Sequence, residues 1–289
     1  MNTQNTTTPA KSTAASPKNS QIINGALLAY FLRKHRILLA VIAFCAAAYS
    51  VMIIALWPLF LDDAFQEGME SLAETFAAIA PDMDTGMFMM TLGQYLETQW
   101  LGVYWLPLAG AVLIVFAGKA IAGSISDGSL ETICANPLKR VVYLNTIVVT
   151  LLIFSLVLSA ATIVPLAALG PVFDAEMSVQ TTAILLLAGW LIMFVFGLLV
   201  LAVSAWTRGV VLSAAVAVAF ILVMIVLYVA TPMVEFLEHL NPVNLLHWWG
   251  SAGIIDNGTA EPGLWIWLAI VGTVTLALSY IGFLRRDLT

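Results

Sequence analysis

The chain has 289 residues, of which 61% are hydrophobic and only 10% are charged, and its formal net charge is −6. A water-facing surface needs more charged residues than this composition supplies, so the composition excludes a soluble globular protein. The mean hydropathy of +0.98 is typical of a polytopic helical membrane protein with short loops. We therefore expect an all-α polytopic membrane protein.

The first twenty residues are rich in Thr, Ser, Asn and Pro and have no apolar periodicity. This composition predicts a disordered tail over residues 1–20, followed by one transmembrane domain over residues 21–289. The first apolar run is too long for the core of a cleaved signal peptide and has no small-residue cleavage site behind it. We expect this run to remain in the mature protein as its first span.

Six apolar stretches reach the roughly 20 residues that a helix needs to cross a hydrocarbon core. They cover about residues 37–61, 100–118, 141–169, 181–206, 209–230 and 264–283. The third stretch is overlong and contains Pro165, which predicts either a kink or a helix that ends early. Six spans place the two termini on the same side of the membrane.

The charged residues sort to opposite sides of these six spans. All 11 Lys and Arg residues fall on the side of the termini, whereas all of the 17 acidic residues except Asp127, Glu131 and Asp287 fall on the other. The positive-inside rule then predicts that both termini are cytoplasmic. A missed or invented span would destroy this partition, so the partition also supports the count of six.

Two segments on the acidic side are longer than simple connections. Between residues 62 and 99, apolar residues recur every three or four positions, which predicts an amphipathic helix at the outer interface. These residues are Phe65, Met69, Leu72, Phe76 and Ile79. A capping helix without any contact to a substrate fits the pattern as well. Residues 230–264 mix apolar and polar side chains over too short a length to cross, which predicts re-entrant or interfacial helices around Pro242.

Groups that would support catalysis or cofactor binding are scarce in the predicted spans. They contain almost no ionisable residues, so the chain by itself is not expected to be an enzyme or to hold a cofactor. His239 and His247 are eight residues apart and conceivably bind a metal, but interfacial histidines without a metal are more common. Asn257 begins a glycosylation sequon that also fits a tight turn, which is the favoured interpretation.

The connection between spans two and three is the most informative segment. Asp127 or Ser129 can cap a short helix whose first turn holds Glu131, and Pro137 predicts that this helix has ended. Leu130 and Ile133 lie on one face of that helix, and Arg140 meets the lipid headgroups where span three begins. The pattern alone leaves two interpretations open, an ordinary interfacial loop and a docking element for a cytosolic partner.

Several short motifs, in order along the chain, resemble those of the ABC-2 type transporter permeases. The loop sequence Gly128-Ser129-Leu130-Glu131, followed by Pro137 and Arg140, is similar to the family's G-T-L-E and P-x-x-R pattern. The C-terminal sequence resembles the family's closing F-x-R-R-D-L, with Phe283, Arg285, Arg286 and Asp287 at the matching positions. Asn241-Pro242 and Trp57-Pro58 are similar to an outer S-P motif and to the Y-P of a subfamily described as antibiotic exporters. Ser124 and Ser129 depart from the family, which commonly has Glu and Thr at these positions.

The resemblance implies a permease subunit in the plasma membrane of a prokaryotic cell. The loop between spans two and three would be the coupling helix that docks on a separate cytosolic ATPase, which would bind ATP and Mg²⁺ in two copies. A second permease chain, identical or related, would complete the pathway. The resemblance also implies an N-terminal elbow helix that carries Arg33, Lys34 and Arg36, for which headgroup anchoring is an equally good role.

Two functions from different classes follow. The first is export of a hydrophobic or amphipathic compound, such as an antibiotic or a lipid, because nearly charge-free spans suit an apolar cargo. The second is a non-transporting anchor or sensor that recruits a cytosolic partner through the same loop. Neither function involves nucleic acid.

Overall fold

The fold was obtained as a computed structural model that describes residues 22–79, 90–124, 139–207, 209–231 and 234–285, apart from the side chains of 76–79 and 235. These residues form helices and connections, and no strand occurs among them. Six helices are long and apolar enough to span a membrane, which confirms the predicted all-α polytopic fold and its six spans.

The helices follow one another with short connections. They are α1 (Gly25–Phe60), α2 (Asp63–Ile79), α3 (Leu92–Leu96), α4 (Trp105–Gly118), α5 (Arg140–Leu169), α6 (Val179–Trp206), α7 (Val210–Ala230), α8 (Leu245–Trp249), α9 (Ser251–Asn257) and α10 (Pro262–Arg285). Two π-helices, Glu97–Leu101 and Lys119–Gly123, lie at the two ends of the second span, which covers Leu92–Gly123. Short 3₁₀ helices cover Gly170–Val172 and Glu235–Val243.

The predicted span edges differ from the observed ones mainly where a helix continues past the hydrophobic run. Helix α1 begins at Gly25 because the Asn24 side chain accepts a hydrogen bond from the Leu27 amide at 3.0 Å. At about 1.5 Å per residue its 36 residues extend about 54 Å, well beyond a hydrocarbon core of about 30 Å. Helix α5 continues through Pro165 to Leu169, so of the two predicted alternatives the early end is wrong and the kink stays a prediction.

The two long connections contain the helices that their patterns predicted. Helix α2 covers the apolar spacing that begins at Phe65, and its location at a membrane interface stays a prediction. The segment around Pro242 forms a 3₁₀ helix followed by α8 and α9, which is consistent with short interfacial helices. Asn257 is the last residue of α9 and Gly258, with φ of +68°, caps it, so the Asn-Gly sequence forms a helix end and not the expected tight turn.

Helix α6 lies at the centre of the bundle and packs against α4, α5, α7 and α10. Gly189 of α6 allows the close approach, since a Cβ atom there would lie 2.9 Å from the Ser159 hydroxyl and 3.0 Å from the Trp105 ring. Buried hydroxyl groups are hydrogen-bonded within the bundle, except for that of Ser213 in α7, which has no hydrogen-bond partner among the described residues. Thr162, for example, donates to the Leu158 carbonyl at 3.0 Å and accepts from the Trp105 indole at 2.9 Å.

Candidate functional site

The two ends of the helix bundle carry opposite charges. One end of the bundle contains the start of α1, residues 118–124, the starts of α5 and α7, and the ends of α6 and α10. We call it the basic end. The described cations lie here, at Arg33, Lys34, Arg36, Lys119, Lys139, Arg140 and Arg285. The described acidic residues lie in or beside the connections at the opposite end, which we call the acidic end. The stems of the predicted docking loop, the predicted elbow cations and the start of the C-terminal motif belong to the basic end, whereas Trp57-Pro58 and Asn241-Pro242 belong to the acidic end.

The stems of the predicted docking loop are joined to each other at the basic end. Tyr143, one turn into α5, donates a hydrogen bond from its hydroxyl to the Ala120 carbonyl of the π-helix at 2.6 Å. Ser204 of α6 holds the same π-helix, because its hydroxyl donates to the Gly118 carbonyl at 3.2 Å and accepts from the Ala122 amide at 3.0 Å. The two stems are therefore held together by contacts among α4, α5, α6 and the π-helix.

The docking residues themselves lie outside the described part of the chain. This applies to Asp127, Gly128, Ser129, Leu130, Glu131, Ile133 and Pro137, whose predicted helix and roles stay predictions. Arg140 is described; it is the first residue of α5 and is half-buried. The Ser124 hydroxyl donates to the Lys119 carbonyl at 3.3 Å. A neutral side chain thus bonds to the backbone of its own helical segment at the end of this stem.

A cluster of aromatic side chains connects the loop stems with the first and the last helix. The Tyr143 ring stacks on Phe283 with centroids 5.8 Å apart and meets the edge of Phe31 at 6.2 Å. Phe31 also contacts Phe116 at 5.5 Å, and the His35 ring lies 5.2 Å from Phe116. We call these five residues the basic-end aromatic cluster. It fixes α1, α4, α5 and α10 relative to one another, with edge-to-face and stacked contacts that aromatic rings favour.

The C-terminal motif contributes one core residue and one exposed cation. Phe283 is fully buried beneath Tyr143, whereas Arg285 ends α10 at the surface. A cation at the last turn of a helix interacts favourably with the helix dipole. Arg286 and Asp287 lie outside the described residues. The structure therefore brings the start of the closing motif together with the loop stems.

The three cations of the predicted elbow lie on the continuous helix α1. No break in the helix separates Arg33, Lys34 and Arg36 from the apolar part of the span, and all three side chains are exposed. Lys34 places its ammonium 5.3 Å from the centroid of the Tyr30 ring, a cation–π contact. Their predicted role at headgroups fits this exposure, but a separate elbow helix is not distinguished from α1.

One carboxylate at the acidic end, that of Glu97, connects three helical elements, which the sequence did not indicate. Glu97, the first residue of a π-helix, accepts hydrogen bonds from the Tyr228 hydroxyl of α7, from the Ser251 hydroxyl of α9 at 3.0 Å, and from the Ala252 amide. Sequence reasoning counted Glu97 among the outer acids only. Its position at the start of an apolar run was the one available signal, since its partners are more than 100 residues away.

A second carboxylate connects the same elements. Asp256 of α9 accepts hydrogen bonds from the Thr91 hydroxyl at 2.6 Å and from the Gly93 amide at 3.0 Å. Gly93 allows this approach, because a Cβ atom there would lie 2.5 Å from the Ala252 carbonyl oxygen. His239 and His247, the conceivable metal pair, are both exposed, and the described residues contain no group of three potential metal ligands.

Comparison with known proteins gave no similarity that identifies the chain: no protein-family model matches it, and no curated protein matches it significantly.

Proposed function

We propose that this chain is the transmembrane permease subunit of an ABC-2 type exporter, driven by a separate cytosolic ATPase. The observation that carries the proposal is the order of its motifs on six spans. The G-S-L-E and P-x-x-R loop follows span two, and F-L-R-R-D-L follows span six. With six consecutive spans, both motifs are expected on the same side of the bundle, where one soluble partner could reach them.

The contacts at the basic end provide a mechanical route from a docked ATPase to the spans. A force on the loop acts first on its stems, which are connected by the hydrogen bond from Tyr143 to Ala120. From Tyr143 it reaches α10 through Phe283 and α1 through Phe31. Ser204 passes it from the π-helix to the central helix α6. Rigid packing of this kind transmits displacements rather than absorbing them.

The chemistry of the spans favours a hydrophobic or amphipathic cargo. A cavity of about 250 Å³ lies between the end of α1, helix α2 and the start of the second span. Its lining is mainly apolar, with Phe60, Phe65, Met69 and Met90, and includes Gln66, Thr91 and Gln99. Ligand pockets typically combine such an apolar lining with a few polar groups. This lining suits the apolar part of an antibiotic-like or lipid-like compound.

Purification from the native membrane tests the proposal. The chain is tagged, extracted in a mild detergent, and examined for co-purifying proteins and for ATP hydrolysis. We expect an ABC ATPase in equal amount, with hydrolysis that a hydrophobic cargo stimulates. A chain that purifies alone, or with a partner that does not hydrolyse ATP, would contradict transport and favour the membrane anchor that recruits a cytosolic protein.

A charge reversal in the loop tests the coupling role. Glu131→Lys should insert normally but lower cargo-stimulated hydrolysis at least tenfold, because a reversed charge in a docking groove removes favourable contacts. Glu70→Lys, the same reversal on the exposed face of α2 at the acidic end, is the matched control and should leave hydrolysis unchanged. Full cargo-stimulated hydrolysis in Glu131→Lys would remove this residue from the docking site.

A further inference from the structure

The acidic end contains a cavity of about 440 Å³ beside Glu97, between α8, α9 and the start of α10. Two carboxylates line it, Glu97 and Glu261, together with the aromatic side chains of His247, Trp248 and Trp249. The volume lies within the range of about 300 to 1,000 Å³ that is usual for small-molecule sites. The cavity is thus large enough for an organic molecule.

The charge of Glu97 has no cationic partner among the described residues. Its three hydrogen-bond donors are the Tyr228 hydroxyl, the Ser251 hydroxyl and the Ala252 amide, all of them neutral. The described Lys and Arg side chains lie at the basic end, on the far side of the bundle. Hydrogen bonds from neutral donors favour the charged form of a half-buried carboxylate without neutralising it, so Glu97 attracts a cation that no described residue supplies.

The aromatic side chains define which kind of cation fits. The Trp248 indole donates to the Pro242 carbonyl at 3.0 Å, and the Trp249 indole donates to the Leu101 carbonyl at 2.9 Å, so both rings have fixed orientations. The faces of aromatic rings attract ammonium groups that have lost their water. A small metal ion such as Mg²⁺ or Ca²⁺ is bound by oxygen ligands instead and does not need aromatic rings. The acidic connections around the cavity add a negative field that concentrates cations near it.

We propose that this cavity binds an organic cation, an amine or quaternary ammonium group attached to an apolar body, with Glu97 and Trp248 as its main contacts. The Glu97 carboxylate neutralises the charge of the cation, and the face of the Trp248 ring contacts its ammonium group. Glu261 adds a second negative charge at the exposed rim of the cavity. The inference does not depend on the proposed function, because binding is measured on this chain alone without any ATPase.

Benzyltrimethylammonium is a suitable probe, and its uncharged carbon analogue neopentylbenzene is the matched control ligand. The full chain is reconstituted in phosphatidylcholine nanodiscs, and binding is measured by ligand-observed NMR against empty nanodiscs. We expect the cation to bind saturably. The signal of the analogue should not exceed the signal that it gives with empty nanodiscs, where it only partitions into the lipid. Equal binding of the two ligands, or no saturable binding of the cation, would overturn the proposal.

Three variants locate the site. Glu97→Gln should weaken binding of the cation at least tenfold and Trp248→Leu at least threefold. Glu70→Gln, which removes an exposed carboxylate of α2, should change it less than twofold. An equal loss in Glu97→Gln and Glu70→Gln would show that only the general negative field matters and would refute the cavity. Should Glu97→Gln fail to fold, Glu261→Gln replaces it: Glu261 is exposed, and we expect threefold weaker binding, whereas unchanged binding would exclude the cavity.

Discussion

Tyr143 is the residue at which the loop stems, the first helix and the last helix meet. Its hydroxyl reaches the Ala120 carbonyl at 2.6 Å, while its ring packs between Phe31 and Phe283. The side chain is fully buried, so removal of either contact leaves atoms that water does not reach. The hydrogen bond and the ring contacts can therefore be separated by substitution.

Tyr143→Phe removes the hydroxyl and keeps the ring. We expect the free energy of unfolding to fall by about 1 to 3 kcal/mol, because the buried Ala120 carbonyl loses a donor. Denaturant titration in detergent, followed by helical circular dichroism, measures the loss. Tyr104→Phe is the matched control, since the Tyr104 side chain is 56% exposed. Equal stability of the two variants would show that the hydrogen bond contributes nothing.

The second span differs from the other five because a π-helix lies at each of its ends. Both π-helices contact elements remote in sequence: Glu97 bonds to α7 and α9, and residues 118–122 bond to Ser204 of α6. π-helical turns are rare, are less favourable than α-helical ones and often occur at functional sites. These side-chain bonds are what we expect to stabilise them here.

Ser204→Ala removes both bonds to the π-helix at the basic end, leaving the buried Ala122 amide and Gly118 carbonyl without this partner. We expect the amides of residues 120–123 to exchange hydrogen at least tenfold faster, measured by mass spectrometry after deuterium labelling. Ser155→Ala is the control, because Ser155 is also buried but donates only within its own helix, to the Leu152 carbonyl. Equal exchange in both variants would refute the role of Ser204.

The extent to which sequence predicts these elements depends on the range of the interactions involved. Hydrophobic runs and charge placement are local, so the six spans and helix α2 could be predicted. The π-helices and the role of Glu97 could not, because they arise from contacts with Ser204, Tyr228 and Ser251, between 82 and 154 residues away. The start of α1 was missed because a cap at Asn24 continues the helix beyond its most apolar part.

The fold separates the positive and negative charges of the molecule along the axis of the bundle. The described cations lie at one end of the bundle and the described carboxylates at the other. Cationic residues are retained on the cytoplasmic side during insertion, whereas acidic residues have little influence on orientation. The basic end, with the loop stems, the start of α1 and the end of α10, is therefore the end for which we predict a cytoplasmic location. This orientation is a precondition for a cytosolic ATPase to reach the loop.

Cysteine labelling tests the orientation without altering any charge. Cys45 and Cys134 are first replaced by Ala, and single cysteines are introduced by Ser71→Cys in α2 and by Ala26→Cys in α1, both exposed positions. A membrane-impermeant maleimide should label Ser71→Cys in intact cells and Ala26→Cys only after permeabilisation, because the lipid bilayer separates the two ends. The cysteine-free chain should remain unlabelled in both conditions. Labelling of Ala26→Cys from outside would place the loop on the outer surface, where ATP is not supplied, and both the orientation and the exporter would then be excluded.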